Sequence, residues 1–214
     1  MKSRQTGFTL VEIAIVLVII GLLLGGVLKG QEMVTNAKIK NVANDLKGVA
    51  AAFYAYQDRY RVIPGDDAGA ATRFVGAQPG GGNGAIAGVF TAAPAALGVA
   101  TESNNFWQHL RMAGLMTGSG FLPPQNAVGG VTGVQQPAST YGMTGVVVCT
   151  SNVPWKIAQA VDAQLDDGDS ATGSVRAGAP GIVATAAATA ASYGPTVPAA
   201  AALEAGLYTV CMQI

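Results

Sequence analysis

The chain has 214 residues, half of them hydrophobic and only 11% charged, with a formal net charge of zero. That length suits one folded domain of ordinary size plus an extra element. With no basic excess to neutralise phosphates, no nucleic-acid partner is expected, and the apolar content excludes a solvated disordered polymer. The 29 glycines and the alanine-rich stretches favour close packing and many loops over a dense catalytic site.

In chain order, the first element is a polar leader, Met1-Lys2-Ser3-Arg4-Gln5-Thr6-Gly7, followed by an apolar run from Phe8 to Leu28. About 21 residues at the α-helical rise are enough to cross a bilayer. Lys2 and Arg4 would hold the N-terminus in the cytoplasm and place the remainder outside the inner membrane. The run is long for a secretory signal, and it contains a carboxylate, Glu12. A lone charge in hydrocarbon costs on the order of 3 kcal/mol, so a partner is expected. Cutting after Gly7 would supply one. Phe8 would gain an amine that is cationic near neutral pH, about one helical turn from Glu12 in the same chain or facing it across staggered chains. Such a pair serves register more than stability, because a misplaced helix leaves both charges unmatched.

Gly7-Phe8-Thr9-Leu10-Val11-Glu12-Ile13 resembles the prepilin cleavage and methylation signature of type IV pilins and type II secretion pseudopilins. The resemblance implies cleavage after Gly7 by a prepilin peptidase, N-methylation of Phe8, and a role for Glu12 in docking the subunit into a growing filament. It also implies partners: further copies of the chain, the peptidase, the inner-membrane assembly machinery, and the membrane itself before assembly. Many family members carry a proline near the end of the apolar stretch that helps melt the helix in filaments. Here Gly21, Gly25 and Gly26 stand in that region instead, each weakening a helix by about 1 kcal/mol relative to alanine, which leaves local melting in filaments open but without the proline route.

The helix continues past the apolar run. Ile39, Val42, Leu46, Val49, Phe53, Tyr56 and Tyr60 recur at spacings of three and four, the period of one helix face. Pro64-Gly65 closes the segment, so the helix is predicted from Phe8 to Arg61, roughly 80 Å at the standard rise. A coiled coil is a rival use of the stripe, but it is too short to favour that over docking on the chain's own sheet.

From Pro64 onward turn residues dominate, with Asp66-Asp67 and Pro79-Gly80-Gly81-Gly82-Asn83-Gly84 reading as loop. A helix is expected over Ser103 to Leu115, capped by Ser103 or Asn104 and ended by Gly114, and a second over Pro154 to Leu165. Strands are expected over Tyr141 to Thr150, around Val146-Val147-Val148-Cys149, and over Gly206 to Ile214. The alanine-rich stretch Ala184 to Ala205 reads as a surface loop, with a partial helix as the alternative. Ile63-Pro64-Gly65-Asp66, Phe106 to Leu115 and Leu165-Asp166-Asp167-Gly168 also look like recurring segments of a pilin-like subgroup.

Cys149 and Cys211 are the two cysteines. In an exported chain such a pair reads as one disulfide, the alternative being two buried thiols. Asp162, Asp166, Asp167 and Asp169 cluster around Gly168 and offer hard oxygen ligands suited to calcium, although the spacing is not that of an EF-hand. Some pseudopilins hold calcium in a C-terminal loop, and a solvated acidic turn is the plainer reading. No other cofactor is expected. The single His109 has no second imidazole or cysteine pair to share a metal and reads as structural, and Trp107 and Trp155 read as core residues. There is no GxSxG elbow and no phosphate-binding loop, so no enzymatic activity is expected.

The sequence therefore predicts an α+β, pilin-like fold: one long N-terminal helix on an antiparallel sheet, with loop and helical insertions. The expected organisation is leader 1–7, hydrophobic helix 8–28, amphipathic continuation 29–61 and globular domain 62–214. The expected function is a filament subunit at the cell surface. A periplasmic secretion pseudopilus is the alternative, and an anchored enzyme or binding module is a second one.

Overall fold

The computed structural model describes residues 10–91, 101–136, 141–178 and 207–214. Within them lie helices α1 (Leu10–Tyr60), α2 (Ala70–Arg73), α3 (Glu102–Met112) and α4 (Trp155–Leu165), and strands β1 (Thr132–Gln135), β2 (Val147–Pro154), β3 (Val175–Gly178) and β4 (Leu207–Gln213). The fold is α+β. The chain divides into two compact units, Met1–Ala37 and Lys38–Ile214. The predicted alanine-rich loop at 184–205 lies outside the described residues.

Within the second unit, α1 buries the stripe that its periodicity marks. Val42, Ala43, Leu46, Val49, Ala52, Phe53 and Tyr56 are buried, and Ile39 and Tyr60 pack partly buried against the same core. The helix ends where Arg61 turns left-handed at φ 60°, its N–H still donating to the Gln57 carbonyl at 2.8 Å. Such a residue closes a helix by breaking its repeat, and Pro64 prevents a restart.

The sheet is antiparallel throughout, in the order β1-β2-β4-β3. Its two central strands are the two the sequence predicts, with different limits. The first starts at Val147, not Tyr141, and runs beyond Thr150 to Pro154. A register shift between Thr150 and Val153 lets it do so. Asn152, left-handed at φ 59°, supplies the bulge that re-aims the strand. The edge strands β1 and β3, four residues each, and the four-residue α2 carry too little pattern to be read from sequence.

Alternation along the strands gives the sheet two buried faces. Val134, Val148, Val153, Val175, Ala177, Tyr208 and Val210 share one core with α1, α3 and α4. Val147, Cys149 and Cys211 point to the other face, under Phe90, Tyr141 and Met143. Each large apolar side chain fully removed from water contributes about 1.5–3 kcal/mol, which is what holds irregular segments onto that second face.

α3 starts one residue earlier than expected, with Thr101 at its N-cap. Ser103 and Asn104 are therefore not its caps. They lie within the helix and are buried. Its end is as anticipated. Gly114 turns left-handed at φ 73°, while Leu115 N–H donates to Leu110 O and Gly114 N–H to Arg111 O. This is the paired-bond helix stop that glycine permits. α4 begins at Trp155, with Pro154 at its N-cap.

Candidate functional site

The first unit contains the start of α1, an uninterrupted helix from Leu10. In the single chain Gly21, Gly25 and Gly26 are all helical. Glycine lowers helix propensity but leaves every backbone hydrogen bond available, which proline would not. A Cβ added at Gly21, Gly25, Gly26 or Gly30 would meet nothing within 4 Å, so nothing in the described chain requires glycine there. Within α1 an 18-residue window has mean hydropathy 2.8 and is 0% buried, so the helix is long and apolar enough to cross a membrane. Leu10 is 90% exposed and Leu22 73%. An unbroken apolar surface of this length is compatible with lipid or with other helices, not with water.

Glu12 lies in the first turn of α1, where the helix dipole favours a negative charge. Gly7 and Phe8, the expected processing and methylation positions, lie outside the described residues. Residues 2–28 match the family described as the prokaryotic N-terminal methylation motif. The chain carries a type IV prepilin-type signature. No curated protein and no solved structure matches the chain in the comparisons. The prepilin-type segment thus covers the leader and the apolar helix, and the resemblance seen in the globular unit rests on its own residues.

Cys149 and Cys211 form a disulfide across the central strands. Cys149 and Cys211 are direct partners in the β2–β4 register, and both are fully buried. Because the bond lies beneath Phe90, Tyr141 and Met143, it is shielded from dissolved thiols.

The acidic turn after α4 brings Asp162, Asp166 and Asp167 together, with one oxygen of each within 4.8 Å of the others. Asp169, expected to join them, is not part of that group. Its Oδ1 accepts the Ala171 N–H at 3.0 Å. The turn's own donors occupy most of the cluster. Asp166 accepts from the Ser174 and Val175 amides. Asp167 accepts the Asp169 N–H at 2.9 Å and the Thr172 hydroxyl at 2.5 Å. Asp162 accepts the Gly168 N–H at 3.2 Å. The Thr172 hydroxyl, followed by the Asp169 amide, holds the Asp167 carboxyl below its usual range. The oxygens are of the kind calcium takes, and each of the three carboxylates also accepts hydrogen bonds from the turn.

His109 is fully buried in α3, where its Nδ1 accepts the Gly65 N–H at 2.9 Å and its Nε2 sits 2.7 Å from the Gln78 carbonyl. A carbonyl only accepts, so the proton is on Nε2 and the ring is neutral. Burial pushes its pKa down, against the opposing pull of the Gln78 carbonyl. Trp107 is 1% exposed and stacks edge-on to Phe106. Trp155 is partly buried against the core.

What sequence reasoning missed is the second face of α3. Ser103, Asn104, Asn105, Gln108 and His109 are all buried, yet polar: Asn104 accepts the Thr101 hydroxyl, and the other four bind the backbone of loop 62–91. Gln108 takes the Gln78 N–H and gives to the Gly76 carbonyl. Glu102 accepts from the Gly81 and Ala87 amides. On the loop itself, buried Asp66 accepts from Asn83 and Gly84. Buried Asp67 binds Tyr56, Gly69 and Arg73. The usable signal was a glycine-rich loop with few apolar residues next to a helix unusually dense in amide side chains. A loop that cannot bond to itself needs donors and acceptors from elsewhere.

Proposed function

We propose that this chain is a structural subunit of a type IV pilus-like helical filament, with no enzymatic role. Prepilin peptidase cuts it between Gly7 and Phe8, Phe8 is N-methylated, and the subunit polymerises through its apolar N-terminal helix. The observation that carries this reading is the prepilin-type segment continuous with an exposed apolar helix bearing Glu12 in its first turn. Before assembly the helix anchors the precursor in the inner membrane. After assembly the same surface is covered by neighbouring helices, and Glu12 meets the Phe8 amine of an adjacent copy. Heterologous contacts of this kind leave open ends and build fibres rather than closed rings.

The large, weakly charged, glycine- and alanine-rich domain favours a cell-surface filament over a short periplasmic pseudopilus. Glu12→Ala tests the assembly role. The variant is expected to insert in the membrane and be processed as the parent is, while sheared filaments seen by electron microscopy disappear. Normal filaments from the variant would remove Glu12 from assembly. Loss of processing would place it in peptidase recognition instead.

A further inference from the structure

We propose that α3 and loop 62–91 form an acid-released latch whose trigger is the His109 imidazole. The site lies within the second unit and is independent of the filament reading. His109 bridges two distant points of the loop, Gly65 through Nδ1 and Gln78 through Nε2. The Gly65 bond requires the neutral ring, whereas the Nε2 bond to Gln78 survives protonation. Adding a proton at Nδ1 sets two donors against each other at 2.9 Å, and the Gly65 bond is lost.

The surroundings do not host the resulting charge. From α1, Tyr56 stacks on the imidazole with ring centroids 6.2 Å apart, and its hydroxyl is committed to Asp67. From the loop, Asp67 is the anionic neighbour, but Arg73 already neutralises it, and Asp66 is taken up by the Asn83 and Gly84 amides. On α3 itself, the Glu102 carboxylate is bound to Gly81 and Ala87, and the Arg111 guanidinium donates to the Gly120 carbonyl. β1, which packs on α3, contributes no titratable side chain. A cation buried without a free counter-charge is costly. Lifting the loop hydrates it at the expense of a few polar contacts.

Opening is local because the loop is tied mainly by hydrogen bonds. Besides His109, its ties to α3 are those of Gln108, Glu102, Asn105 to the Pro79 carbonyl, and Ser103, whose N–H and hydroxyl donate to the Ala87 and Val89 carbonyls. Its own buried apolar residues are few: Ala70, Ala77, Ile86 and Phe90. The sheet is closed separately by the Cys149–Cys211 bond. Segments with few apolar contacts open at lower free energy than the core.

The test is an NMR titration of the full chain in detergent micelles from pH 8 to pH 4, following the His109 ring and backbone amides in the same spectra, for the parent and for His109→Asn. Asparagine keeps an acceptor for Gly65 and cannot be protonated. The expected result is one transition, with a midpoint below the ordinary histidine value of 6.5, shared by the ring and the Gly65, Gln78 and Gly81 amides. The Val148 and Val210 amides should stay fixed, and the loop transition should vanish in His109→Asn. Three results overturn the latch: ring titration with no loop response, a loop transition unchanged in the variant, or a neutral ring and closed loop at pH 4. If the variant does not fold, the parent's ring and amides still decide, because uncoupled behaviour refutes the proposal.

Discussion

At the scale of single residues, the buried charges and the imidazole make the stability of the globular unit depend on pH. His109 has a folded pKa below 6.5, mainly through burial. Its contribution is complete above 6.5 and is lost as pH falls below that value toward the folded one. For Asp67, burial raises the pKa, but Arg73, Tyr56 and the Gly69 amide outweigh it and leave it below 3.8. Its contribution is complete above 3.8 and is lost as pH falls further. The urea midpoint of the full chain in detergent, followed by near-ultraviolet circular dichroism, should therefore be flat from neutrality to about pH 9, below the ordinary tyrosine range. It should decline in one limb starting below 6.5 and in a second starting below 3.8. A midpoint that rises between pH 7 and pH 5 would show that His109 is charged in the folded protein.

At the scale of elements, α1 carries two jobs in one helix, and substitutions should separate them. Leu46 is fully buried and Leu23 is 64% exposed. Leu46→Ala removes packed methyl groups and should cost about 3 kcal/mol. Leu23→Ala should change the stability of the globular unit by less than about 0.5 kcal/mol, both read from urea unfolding. If both leucines cost the same, the apolar half of the helix contributes to the domain core after all. The amphipathic stripe from Ile39 to Tyr60 was legible because seven residues kept one period over six turns of helix. Gly114 and Pro64 marked ends because glycine takes the left-handed turn without strain and proline cannot continue a helix. The caps of α3 were misread because Ser103 and Asn104 are good capping residues in isolation, whereas the loop made them part of a buried polar face. β1 and β3 escaped because four residues each, one of them Gly133 or Gly178, are too few to establish a period. The acidic turn was visible as four aspartates, but only the fold separates Asp169 from the other three.

At the scale of the whole molecule, the prepilin-type segment and the folded unit answer to different solvents. The first must suit lipid and other helices. The second folds around its own core with one covalent tie. Replacing both Cys149 and Cys211 by serine should lower stability by on the order of 2–4 kcal/mol, since a loop of this length regains much chain entropy when unfolded. In the native parent, thiol reduction should be limited by unfolding, because both sulfurs are buried. Reduction by dithiothreitol at a rate independent of urea concentration would contradict that burial. The wider account rests on processing at one peptide bond, and intact mass with N-terminal sequencing of the protein sheared from cells tests it most directly. The account predicts a chain starting at N-methylated Phe8 and lighter by the two hydrogens of the disulfide. A chain that still begins at Met1, or one that begins beyond Gly26, would contradict it.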